Sequence, residues 1–80
     1  MPLTLLGIGE KATITQLTGD TNLRLRLTEL GFSLGKGIEI IQRAFGNHLI
    51  VRLENVRIAL DRRMALHIQI HMLQEEAHVQ

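Results

Sequence analysis

Leu23 to Gly37 reads LRLRLTELGFSLGKG, and this stretch decides the fold. On a helix turning roughly 100° per residue, Leu23, Leu27 and Leu30 fall within about 60° of one another, an apolar stripe facing a core. Gly31 stands where a residue of positive φ closes the helix, a conformation glycine adopts without steric cost. Gly35 and Gly37 mark a turn before the β-branched Ile38, Ile40 and Ile41. The same letters invite a helix-turn-helix, with Ser33 to Arg43 as its recognition helix. Two glycines and three isoleucines weaken that second helix and suit a strand. Helix, turn, strand is the better parse.

Upstream, Pro2 to Leu6 reads as a short edge strand, with proline tolerated at its start. Gly7 and Gly9 make a turn, and Lys11 to Leu17 alternates around Ala12 and Ile14 as a strand with one buried face. Thr18 to Asn22 is rich in cap formers, and Asp20 or Thr21 supplies the acceptor for the first free helix N–H groups. Downstream, Ile38 to Ala44 is a strand and Phe45-Gly46-Asn47 a tight connection. His48 to Leu53 returns as its antiparallel partner, a hairpin with glycine in the loop. Glu54-Asn55 signals a second turn, and Val56 to Leu60 a further strand. Asp61 caps a single helical turn, Arg62 to Leu66. His67 to Leu73 then alternates cleanly, with Ile68, Ile70 and Met72 inward and His67, Gln69 and His71 outward. Residues 74–80 form a polar tail. Besides that N-terminal edge segment, five short strands, one helix and no linker predict a mainly β fold, a small and partly open β-barrel.

The chain of 80 residues is short enough for one domain, with a core over about residues 3–73. A chain of this length buries only about 60% of the surface its unfolded form exposes, so the core has little margin. The apolar content is nearly all aliphatic, with Phe32 and Phe45 the only aromatics. The absence of cysteine excludes a disulfide framework, a thiolate metal site and a cysteine nucleophile, and fits a reducing cytoplasm. The N-terminus has no basic region and no small-residue cleavage site, so no signal peptide is expected. No apolar run approaches the ~18 residues that span a bilayer. Nine Lys and Arg against eight Asp and Glu are interspersed, giving a net charge of +1. Duplex binders carry a basic stripe and base-stacking binders carry aromatic platforms. Neither is present.

The histidines are the first candidates for chemistry. His67 and His71 lie four apart on one predicted strand, so their Cα atoms are about 13 Å apart at ~3.3 Å per residue. Two imidazoles sharing a metal at bonds of about 2 Å need closer backbones. His48 lies on a different strand, and the sequence gives no reason to bring it to either. These three read as solvated face residues. Glu29 follows Arg26 by three, a surface pair worth about 0.2–0.5 kcal/mol. Ser33 is the only serine and has no local base. Gly7-Ile8-Gly9-Glu10-Lys11 echoes part of a phosphate loop but lacks its last glycine and the hydroxyl after lysine. Arg57, Arg62 and Arg63 form a small basic cluster that solvates a strand end or meets an acidic partner. No catalytic constellation emerges, and the chain does not read as an enzyme. Leu25 stands roughly opposite the leucine stripe, among Arg24, Thr28 and Glu29. An apolar anchor ringed by polar groups is what a docking surface needs, so Arg24, Leu25 and Glu29 are the candidate partner-binding residues.

Arg26 to Ile40, RLTELGFSLGKGIEI, resembles the FeoA family, small cytoplasmic proteins of the bacterial ferrous-iron uptake system. An arginine-leucine pair, Leu-Gly-hydrophobic, a turn glycine and an isoleucine-rich strand are its pattern. A second block is similar: Ile58-Ala59-Leu60, then a turn containing Ala65, then Ile68 and Ile70. Together they span about Leu5 to Ile70. Phe45 and His48 stand where family members often have prolines, and Glu54-Asn55 where a glycine is common. The resemblance implies an SH3-like barrel and a role beside FeoB, the membrane permease with a GTPase domain, as a cytoplasmic accessory or regulator. It also brings a family-level association with Fe2+ or other transition metals, although the residues define no site and require no cofactor. Neither membrane insertion nor nucleic-acid binding is expected, and self-association is left open.

Two classes of function follow. One is an adaptor docking on a transporter's cytoplasmic domain. The other is a small SH3-like barrel that binds nucleic acid, or a detached domain related to that of iron-dependent repressors, whose DNA-binding and dimerisation segments are not found here. Near-neutral charge and two aromatics favour the adaptor.

Overall fold

The computed structural model describes residues 1–73, and the polar tail over 74–80 lies outside the described residues. Strands β1 (Lys11–Leu17), β2 (Gly37–Ala44), β3 (His48–Leu53), β4 (Val56–Asp61) and β5 (Ile68–Met72) form one sheet. Its order is β4-β3-β2-β1-β5 with every pair antiparallel, so β4 and β5 are the edges and the sheet does not close. Helix α1 (Thr21–Glu29) crosses from β1 to β2, and the one-turn α2 (Arg62–Ala65) links β4 to β5. The strands fall where alternation and the turn residues put them. Register pairs apolar residues of one face, Ile38 with Leu53, Ile40 with Val51 and Ile14 with Ile70.

Two irregularities bend that face around the core. The β1–β5 register shifts between Ile14 and Gln16, and the β2–β3 register between Ile40 and Gln42. An extra residue in one strand increases local twist and coils a sheet that would otherwise lie flat. Inside the curl lie Leu3, Leu6, Ile14, Ile40, Leu60 and Ile68, each buried.

The helix end departs from its sequence expectation. Leu27 is buried and Leu23 packs partly against the core, but Leu30 is 42% exposed. Leu30 is the C-cap, and the helix stops at Glu29. The Gly31 amide then donates to the Thr28 carbonyl at 3.0 Å and the Phe32 amide to the Leu27 carbonyl at 3.1 Å. Those two bonds make a Schellman closure, in which the second residue beyond the cap folds back over the last turn. Phe32, wholly buried, takes the core position that the stripe had given to Leu30.

A second departure is at the start of the chain. Pro2 makes one isolated bridge to Gln69, but Leu3–Leu5 is a 3-10 turn, not a strand. Leu3 and Leu6 are both fully buried. A strand would point residues three apart to opposite faces, whereas a turn of about three residues brings them to the same one. The last strand begins at Ile68, with His67 in the turn before it, and Gln69 and Met72 depart mildly from its alternation, being half-buried.

Candidate docking surface

Helix α1 begins where Asp20 accepts the Leu23 amide through Oδ1 at 2.8 Å, satisfying one of the free N–H groups of its first turn. One turn on, Arg24 donates from Nη1 to the Gly19 carbonyl at 2.8 Å, so its guanidinium folds back along the cap. Thr28 Oγ1 donates to the Arg24 carbonyl at 2.9 Å on the same solvent side. Leu25 stands between them, 55% exposed, and Glu29 is exposed at the last turn. Beyond the helix, Leu30 and Leu34 are exposed as well. Leu25 is thus an exposed apolar side chain with a hydrogen-bonded arginine before it and an exposed carboxylate one turn on. The Arg26–Glu29 pair does not form: among the described residues the ion pair present is Lys36–Glu54 at 3.6 Å.

The three described histidines stand apart, each with its own partner or none. His67 Nδ1 lies 3.0 Å from Thr18 Oγ1, and the Thr18 amide donates to the His67 carbonyl at 2.8 Å. His48 Nδ1 lies 3.1 Å from the Phe45 carbonyl at the β2–β3 turn. His71 is exposed on β5, separated in the sheet from β3 by β1 and β2. Among the described residues no three His, Cys, Asp or Glu side chains are grouped to hold a metal. The described donor set therefore does not fit a shared metal site.

The phosphate-loop echo is filled by its own chain, since the Gly7 amide donates to Glu10 Oε1 at 2.6 Å. The arginine cluster does not assemble. Arg57 lies at the far end of β4 from Arg62, about 16 Å along the strand at ~3.3 Å per residue. In register, Arg57 faces Arg52, and the row continues to Glu39 and Lys11 across the outer face. Arg62 instead joins Arg43 and His48 around an open hollow of about 200 Å³. One surface residue escaped sequence reasoning. Phe45 is 98% exposed at the β2–β3 tip, where alternation says nothing about a loop side chain.

The model of the FeoA domain matches residues 1–72. The chain belongs to the FeoA family. No curated protein matches it. FeoA from Chlorobium tepidum is similar in structure with TM-score 0.83 at 28% identity, covering 98% of this chain and 76% of its own. FeoA from Stenotrophomonas maltophilia in complex with zinc has TM-score 0.73 at 25% identity, covering 89% of each chain. That relative is a procaryotic SH3 domain protein for which a role as a ferrous iron transport activating factor has been put forward. The SH3-like expectation for this FeoA chain holds, as an open five-stranded sheet with one helix. A manganese-dependent transcriptional repressor shares the fold over 91% of this chain and 41% of its own, with TM-score 0.83 at 19% identity.

Proposed function

We propose that this FeoA chain is a non-enzymatic cytoplasmic accessory protein of ferrous iron uptake that docks on the cytoplasmic domain of the FeoB permease. Family membership supplies the iron-transport setting. The observation that carries the docking reading is Leu25, held more than half exposed on a helix capped at both ends. Arg24 and Glu29 border it and would set the orientation of a partner. Rim charges of this kind steer association more than they add affinity.

Burying one leucine side chain is worth roughly 1.5–3 kcal/mol, or about one to two decades of affinity. Leu25→Glu is expected to leave the fold intact and to weaken binding to the FeoB cytoplasmic domain by that amount. Leu27→Glu places a carboxylate at a wholly buried site and is expected to unfold the chain. Circular dichroism with a pull-down of both variants tests the pair. A folded Leu25→Glu protein that binds normally would put the interface elsewhere.

A further inference from the structure

The β2–β3 hairpin ends in seven consecutive exposed residues, Gln42 to His48, and none of them is acidic. Gly46 and Asn47 both take left-handed backbone, with φ of 72° and 64°, and this reversal holds Phe45 outward at the apex. An aromatic ring 98% exposed is costly to hold in water and contributes nothing to this core. Beside it, Arg43, His48 and Arg62 line the open hollow together with Thr4. Arg43 is anchored there, since its Nη2 donates to the Leu6 carbonyl at 3.0 Å. The carboxylate in register with His48 is Asp61, and its Oδ1 is engaged by the Met64 amide at 2.8 Å.

We infer that this tip docks on an anionic lipid surface, with Phe45 entering the headgroup region while Arg43 and Arg62 meet lipid phosphates. Shape and charge together select that occupant. The ring projects from a convex tip, and a rigid protein partner would need a pocket cut to match it. A bilayer interface needs none, because an apolar phenylalanine ring can bury itself at the boundary of headgroups and acyl chains without a preformed cavity. One apolar side chain gives only weak, reversible attachment, and basic residues beside it supply the second signal. Both signals converge on this tip. The inference stands independently of the docking face on α1.

The chain has no tryptophan and no tyrosine, so Phe45→Trp creates a single emitting reporter at a site where the added ring meets only solvent. Its emission is expected to shift to the blue with vesicles of equal phosphatidylglycerol and phosphatidylcholine, and to return as salt is raised. Flotation of the unlabelled chain on the same vesicles should fall by about tenfold or more for Phe45→Ser and by about fivefold for Arg62→Gln. Circular dichroism of each variant confirms the fold. Unchanged emission on anionic vesicles overturns the inference, and so does an equal shift on pure phosphatidylcholine. A shift with polyglutamate and none with vesicles also overturns it, assigning the tip to an acidic protein.

Discussion

Gly31 adopts a φ of 106°, and a built Cβ would lie 3.4 Å from the Leu53 side chain. The space is ordinary contact, so the cost of a substitution is the backbone itself. A β-branched residue resists positive φ, and Gly31→Val should lower stability by about 1–2 kcal/mol. Urea melts of variant and parent measure it, and equal midpoints would remove the Schellman closure from the account. Glu54 presents the opposite case. It holds a φ of 58° in the two-residue connection between the Leu53–Val56 pair, a place where glycine is favoured. Glu54→Gly loses the Lys36 contact, but that pair is surface-exposed and adds little. The relieved backbone should win by about 0.5–1 kcal/mol, seen as a rise of several degrees in Tm. A fall in Tm would mean that the ion pair outweighs the strain.

Helix α1 depends on its two ends because only Leu27 is fully buried along its length, with Leu23 half-buried. A helix of nine residues is too short to hold itself by propensity alone. Asp20→Ala removes the acceptor for the Leu23 amide and should cost about 1 kcal/mol. Amide exchange is expected to speed up first in Leu23 and its neighbours, before the β-strands are affected. Uniform acceleration over the whole chain would instead make α1 inseparable from the sheet. Strand positions were legible because alternation and turn residues are local properties. Leu30 was not, because its place depends on the chain reversing at Gly31 and delivering Phe32 to the core. The 3-10 turn at Leu3 was concealed likewise, since a single apolar pair three apart does not announce its period.

At the scale of the molecule, the three described histidines lie apart, His48 on β3, His67 in the turn before β5 and His71 on β5, two of them bonded within the chain. Folding should therefore not need a metal, and the melting temperature with and without chelator is expected to be the same. A large drop on removing metal would show side chains converging on a site. The fold was readable from two blocks of glycines and aliphatics, but the candidate surfaces only in part. Leu25 could be found from helical angle alone. The company that Arg62 keeps, Arg43 and His48 instead of Arg57, depends on strand order, which no local pattern encodes. Phe45 lay in a connection where neither period applies.

The sheet's open edge has a consequence for crowding. Pro2 bridges to β5 and blunts that side, while β4 presents Val56–Asp61 without a further strand among the described residues. Its sequence, VRIALD, is short and β-prone, the kind of segment that recruits copies of itself into fibres when its charge is lost. Arg57 interrupts that run and faces another arginine, a like-charged juxtaposition that costs the sheet a little stability. The same charge would meet its own copy if two β4 edges came together, so a cation at position 57 guards the edge even though it supports no neighbour in the fold.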